Sequence, residues 1–250
     1  MDHDLSESVK KVFIDLHEKG LIYKGVRMVN WDSEAQTTVS DEEVLYKEID
    51  SKLFHISYQI ENKNEKIIVA TTRPETILGD TAICVNPKDK RYSNLVGKDV
   101  YVPLIKRKIP IISDEYVDME FGTGALKITP AHDINDYEIG YRHKLDTIDI
   151  LNNDGTLNEK AKLFVGIDRF KARELIVEEL EQGNHLVRIE NHKNKVGFSE
   201  RTNSIIEPKL SMQWFLKMDK ISKPALDNVL NGNIEFYPKK FINTYKHWMS

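Results

Sequence analysis

FGTGALKITPAHDINDYEIG, residues 121 to 140, changes character twice within one short stretch. Gly122, Thr123 and Gly124 form a turn signal, Ala125 to Thr129 reads as a strand with Lys127 and Thr129 on one side, and Pro130 stops it. Asp133 then opens a helix, and Asp136 follows three residues later, so the two carboxylates lie near one helix face. Turn, strand, proline and helix in this order argue for a mixed α/β fold. They also bring an amine, a hydroxyl and two carboxylates to neighbouring positions. Part of this has a purely structural reading, with Asp133 as an N-cap and Asp136 as the acidic residue of a capping box.

Outward from this stretch the period-two pattern dominates. Phe54, Ile56, Tyr58 and Ile60 alternate with Leu53, His55, Ser57 and Gln59, the pattern of a half-buried strand. The polar run Glu61 to Glu65 predicts a hairpin turn into a second strand at Lys66 to Ala70. Further short strands are expected at Thr81 to Val85, Asp99 to Pro103 and Ile109 to Ile112. Helices are predicted at both ends and late in the middle. Leu5, Val9, Val12, Phe13 and Leu16 recur at helical spacing before Gly20. A second helix begins near Asp168, with Phe170, Leu175, Ile176 and Leu180 on one face and Gly183 as C-cap. Helical signals return at Ala225 to Leu230 and Phe241 to Trp248, while Leu21 to Asn30 and the acidic turn Ser40 to Glu43 read as a connecting strap. Ending directly after a Trp-containing helical pattern, the chain reads as a fragment of something longer.

Composition narrows the function. At 250 residues and 40% hydrophobic content the chain can fill a core, which excludes global disorder. With 36 basic against 40 acidic residues the net charge is −4, so nucleic acid is not gripped through a diffuse positive field and must be met locally. Cys84 is the single cysteine; no internal disulfide is possible, and a reducing, cytoplasmic setting is expected. Met1 to Lys11 lacks the basic start and apolar run of a signal peptide, and no stretch reaches membrane-spanning length. A soluble protein without a membrane partner is expected.

A second candidate segment is Thr71, Thr72, Arg73, Pro74, Glu75, Thr76 at a strand end. Hydroxyls and a guanidinium gathered there suit a ribose, a carboxylate or a phosphate. The structural alternative is a helix start, with Thr72 as cap, Pro74 in the first turn and Glu75 at the positive end. His132 beside Asp133 and Asp136 suggests metal ligands, yet no second histidine stands at ligand spacing, so neither metal nor cofactor is expected. No G-x-S-x-G elbow is present, and Gly122 to Gly124 lacks the third glycine of a dinucleotide fingerprint. The clusters Lys106, Arg107, Lys108 and Lys193, Asn194, Lys195 could touch phosphates but read first as solvated loops. Trp31, Trp214 and Trp248 read as packing residues rather than stacking platforms.

Taken together, VNWDSEAQTTVSDEEV (29 to 44), ATTRPETILGDTAICVNPKDKRY (70 to 92), GTGALKITPAHDINDYEIG (122 to 140) and RTNSIIEPKLSMQWFLKM (201 to 218) are far more specific than any one string. In this order they resemble the editing domain inserted into the class I catalytic domain of valyl-tRNA synthetases, and the resemblance covers nearly the whole chain. Isoleucyl versions usually carry His and Gly where this chain has Lys127 and Asp133. Neither the HIGH nor the KMSKS signature of the synthetic site occurs; Lys217 to Lys220 is only superficially similar to the latter.

The resemblance implies a β-barrel-like core of mixed strands surrounded by helices, with residues 47–205 as the editing core and 1–46 and 206–250 as linker straps. It implies hydrolysis of threonyl-tRNA(Val) rather than ATP-dependent ligation. Its partners would be the threonine-bearing 3′ end of tRNA(Val) and the rest of the synthetase chain. By resemblance Asp136 holds the substrate α-ammonium, and Lys127, Thr129 and Asp133 form the hydroxyl pocket and position water, with Asp133 as the candidate for orienting it. Thr71, Arg73 and Thr76 line the terminal adenosine and ester, Phe121 is an apolar wall, and Thr72 and His132 complete the set. The alternatives are a non-catalytic module that docks a tRNA 3′ end, the editing domain of the isoleucyl enzyme, and a metal-dependent phosphohydrolase.

Overall fold

The computed structural model describes residues 2 to 249. Its elements are α1 (His3–Glu18), β1 (Ile22–Asp32), β2 (Thr37–Val39), β3 (Val44–Ile60), β4 (Lys66–Thr71), β5 (Ala82–Val85), β6 (Asp99–Tyr101), β7 (Lys108–Ser113), β8 (Ala125–Ile128), α2 (Ile134–His143), α3 (Arg169–Gln182), β9 (Leu186–Ser199), β10 (Glu207–Leu216), α4 (Asp219–Leu230) and α5 (Phe241–Met249). The chain divides into two units, Met28–Leu210, and Met1–Arg27 together with Ser211–Ser250.

The larger unit is built on strand β3. Ile56, Tyr58 and Ile60 are fully buried on its core side, and β4 pairs antiparallel with it from Phe54↔Thr71 to Gln59↔Lys66. Beyond β3 the sheet runs β6, β7, β5, β8, with only β5 and β7 parallel, and β9 pairs along the same edge of β3 as β6, opposite β4, to make seven strands. The end strands β4 and β8 touch without a backbone ladder, so the sheet curls but forms no closed barrel. Ile67, Val69, Ile83, Val100, Ile111 and Ile176 fill its concave side. Each such side chain contributes about 1.5–3 kcal/mol on burial.

The helix from Asp168 forms, with Asp168 accepting from the amides of Phe170 and Lys171; of the expected face Ile176 and Leu180 are buried, together with Ala172, whereas Phe170 and Leu175 are half-buried. Two expectations are corrected. The region expected as a strap is largely strand, with β1 and β2 paired antiparallel, and β3 starts nine residues earlier than its alternation suggests, at Val44 rather than Leu53. From Val44 to Leu53 it runs as a mostly exposed ribbon against β9, so neither strand shows an apolar face there. Pairing partners more than 130 residues apart supply that order, as in Val44↔Ser199.

In the smaller unit Phe13 of α1 packs edge-on against Trp214, with ring centroids 5.3 Å apart, and Tyr23 lies against Phe215. Among the described residues no helix is long and apolar enough to cross a membrane.

Candidate active site

The end of β4, the turn that follows it, strand β8 and the start of α2 converge on a cleft of about 270 Å³. Every site residue that the resemblance implies lines it. Thr71, Thr72, Arg73 and Thr76 come from the β4 side. Lys127 comes from β8, Thr129, His132 and Asp133 from the link that follows it, and Asp136 from α2, while Phe121 stands at the rim, 56% exposed. The Gly-rich turn sets the β8 side. Gly124 sits at φ +75°, and a Cβ there would fall 2.9 Å from the Met119 carbonyl oxygen, so only glycine fits.

At the floor, Lys127 and Thr129 point to the same side, as alternation requires. Lys127 Nζ donates to Thr129 Oγ1 and to Asp80 Oδ1 at 3.2 Å, and Thr129 Oγ1 donates to Asp80 Oδ1 at 2.7 Å. Tyr58 Oη donates to the other oxygen, Asp80 Oδ2, at 2.6 Å. Asp80 is wholly buried, and burial raises its carboxyl above the ordinary value against the pull of the Lys127 ammonium and the two hydroxyls. An ammonium has three donors; two of those on Lys127 are used within the protein, and one remains for the cleft.

Asp133 is the N-cap of α2, its Oδ1 accepting from the amides of Asn135 and Asp136 at 2.8 and 3.1 Å. The second half of the expected capping box does not form, because Asp136 turns away from the cap and accepts from the Thr129 amide at 2.8 Å. Asp136 Oδ1 has no hydrogen bond among the described residues. Burial pushes the Asp136 carboxyl up to about 7; Asp133 adds to the rise and Lys127 opposes it. The floor therefore holds a cation and a readily titrated carboxyl on either side of Thr129.

The β4 wall is built differently. Arg73 donates from Nε to Glu75 Oε1 at 3.1 Å, from Nη2 to Glu207 Oε2 at 2.5 Å and from Nη1 to the His132 carbonyl at 3.3 Å. Glu75 in turn accepts from Arg173 at 2.8 and 2.9 Å, and Glu207 from Arg169 at 2.8 Å. Burial works against the charge on Arg73, but Glu207 and Glu75 outweigh it and hold the guanidinium protonated. Burial likewise opposes the charge of Glu75, and its bond from Arg173 and the nearby Arg73 charge outweigh it, holding the carboxyl below its ordinary range. Thr71 Oγ1 accepts from the Arg73 amide and Thr76 Oγ1 donates to the Arg73 carbonyl, so both hydroxyls fold the turn. The Thr72 hydroxyl has no hydrogen-bond partner among the described residues and faces the cleft.

His132 is buried and its Nε2 accepts from the Ile150 amide at 3.0 Å, which leaves the proton on Nδ1. Burial, then the charges of Arg73, Lys127 and Lys209, hold its pKa well below the ordinary range, so the ring is neutral. With Nε2 occupied it offers no lone pair to a metal. Among the described residues no group of three or more His, Cys, Asp or Glu is arranged to hold one. The basic cluster at Lys106 to Lys108 is partly structural: Arg107 donates to the carbonyls of Leu78 and Asp80, and Lys108 pairs with Asp99.

Among the residues that hold this site together, Tyr58, Asp80 and Glu207 escaped the sequence reading, as did Glu75 in its part as the hub of an ion chain. For Asp80 a signal was available, a lone acid within the apolar run Ile77 to Val85. Tyr58 sits at a core position of β3 and looked like packing; Glu207 lies in a strand with no period of its own.

Across residues 1–250 the chain matches the family described as tRNA synthetases class I (I, L, M and V). It is 59% identical over 249 residues to the valine–tRNA ligase of Parabacteroides distasonis and 52% identical over 250 residues to that of Lactococcus lactis. Each match covers the whole of this chain and 28% of the relative, so the chain spans little more than a quarter of those proteins. Among solved structures, the LeuRS of Agrobacterium radiobacter K84, in a ternary complex with tRNA and LeuAMS, is similar over 74% of this chain and 31% of that one, at 18% identity and a TM-score of 0.45. The chain belongs to the class I tRNA synthetases of the I, L, M and V group, and over its whole length it is similar to a segment of the valine–tRNA ligases among them.

Proposed function

We propose that this chain is the editing hydrolase of a valyl-tRNA synthetase and that its cleft deacylates threonyl-tRNA(Val). The observation that carries the reading is the incompletely satisfied polar floor, where a Lys127 donor and the Asp136 carboxyl flank Thr129. An apolar synthetic pocket rejects an isostere that merely adds a hydroxyl by only about 10²-fold, the figure established for valyl-tRNA synthetase against threonine. A second site must therefore demand the hydroxyl. Here the threonyl hydroxyl completes the set of partners around Lys127 and Thr129, whereas a valyl group leaves a buried donor unpaired, at a cost of about 1–3 kcal/mol.

The ionised Asp136 carboxylate takes the α-ammonium of the aminoacyl group. Asp133 keeps Oδ2 for a water molecule while Oδ1 caps the helix. That water adds hydroxide to the ester carbon and delivers its other proton to the departing ribose oxygen, giving free threonine and an uncharged 3′ end. An aminoacyl ester is already activated, so positioning supplies most of the acceleration. Phe121 at the rim offers a flat surface to the terminal base. The partners are the 3′ end of tRNA(Val) and the remainder of the synthetase.

The test is to incubate the chain with threonyl-tRNA(Val) and with valyl-tRNA(Val) and follow acid-precipitable label. Selective loss of the threonyl ester is the expected result. Binding of tRNA without turnover would make the chain a docking module instead.

A further inference from the structure

We infer that Tyr58 is a positioning residue for this site, acting through Asp80 to aim the Lys127 and Thr129 donors into the cleft. The inference rests on the editing reading for its consequence, but its geometry stands independently. Tyr58 lies on β3 and is fully buried among Ile56, Ile60 and the sheet core, so its ring needs no polar partner to pack. Its hydroxyl nevertheless makes one hydrogen bond, 2.6 Å to Asp80 Oδ2. That contact divides the two oxygens of Asp80: Oδ2 is held from the core side, and Oδ1 alone receives Lys127 and Thr129.

A buried carboxylate with one face unclamped can rotate about its Cβ–Cγ bond and swap the oxygen that Lys127 sees. With Tyr58 in place the plane of the carboxylate is set, and so are the directions of the two donors. The Asp80 backbone is fixed too, because Arg107 donates to its carbonyl at 2.7 Å and to that of Leu78 at 2.8 Å, which leaves the side-chain torsion as the remaining freedom. Tyr58 thus reaches the cleft through a single intermediate while touching no substrate.

The test compares Tyr58→Phe with Ile56→Val, which trims the same core strand without touching the relay. Two readouts are needed, since a role in stability alone would lower the melting temperature of both. The first is the side-chain 1H–15N signal of the Lys127 ammonium in the full chain. Tyr58→Phe is expected to shift or broaden it and to speed its proton exchange, and Ile56→Val to leave it in place. The second is deacylation of threonyl- and valyl-tRNA(Val). Tyr58→Phe is expected to lower kcat for the threonyl ester about tenfold with KM within about twofold, and to narrow the gap between the two esters, the size of one lost hydrogen bond to a charged group. Ile56→Val keeps both values. An unchanged Lys127 signal in Tyr58→Phe overturns the positioning role. If the unsubstituted chain leaves the threonyl ester intact, the editing reading fails, and the Lys127 signal still decides whether Tyr58 orients that donor.

Discussion

Two ionic networks meet in this cleft, and they are built to opposite ends. On the β4 wall Arg73 is divided between Glu75, Glu207 and a backbone carbonyl, and both carboxylates are shared with a second arginine. On the floor Lys127 has a donor to spare, and Asp136 accepts a single backbone hydrogen bond. The first network is closed and ties the turn after β4 to α3 and to the start of β10. The second is open and leaves its unused valences facing the cleft. A charged residue in a conspicuous motif is therefore not by itself a ligand group; what counts is how many of its partners the protein already supplies.

The largest expected effect breaks the closed network. Glu75→Ala removes three charge-assisted hydrogen bonds, leaving Arg173 without its carboxylate and Arg73 with Glu207 alone, and should cost about 3–5 kcal/mol of stability, measured by denaturant unfolding. A loss under about 1 kcal/mol would mean that the wall is held by packing instead.

Asp136→Asn sharpens the contrast from the open side. Hydrolysis should fall about 10²–10³-fold, as for loss of a charge partner at a reacting centre. The amide oxygen can still accept from Thr129, so the fold stays. The unsubstituted chain should gain activity as pH rises through about 7, the region in which Asp136 ionises, and the variant should lose that dependence. The sign for stability is opposite. Because the folded value lies above the unfolded carboxyl value near 3.9, this group stabilises the fold at low pH, and that contribution is lost as pH rises through about 7. Asp136→Asn should therefore melt higher than the parent at pH 8, and a lower melting point would show the carboxylate to be structural.

How much of this was legible in the sequence follows the same division. The strand-to-helix passage from Ala125 to Asp136 is local, and its periodicity, proline and cap placed Lys127, Thr129, Asp133 and Asp136 correctly on neighbouring elements. Tyr58 and Glu207 were not legible, and Asp80 showed only as a lone acid in an apolar run, because each joins the site through contacts 22 to 134 residues away in the chain. Arg73 was read as a donor to a ligand because Glu75, though in view two residues on, was read as a helix-end acid, and Glu207 lay 134 residues away. The β3 and β9 ribbon escaped for a related reason: it is exposed on both faces, and only pairing orders it.

Smaller effects follow at the specificity and entry positions. Lys127→Ala should reduce the preference for the threonyl over the valyl ester about tenfold, read from the ratio of kcat/KM values. An unchanged ratio would place hydroxyl recognition elsewhere. Phe121→Ala should raise KM for the charged tRNA about fivefold through lost base stacking, with stability changed by less than about 0.5 kcal/mol because the ring is 56% exposed. A fall in kcat at constant KM would instead put that ring beside the reacting ester.

The most direct single measurement is a competition in one tube between threonyl-tRNA(Val) and valyl-tRNA(Val) carrying different isotopes, exposed to the chain and, in parallel, to Asp136→Asn. Rapid loss of the threonyl label alone with the parent, and persistence of both labels with the variant, is the result expected of an open floor that demands a hydroxyl. Equal loss of both labels with the parent, or undiminished hydrolysis by the variant, would contradict it.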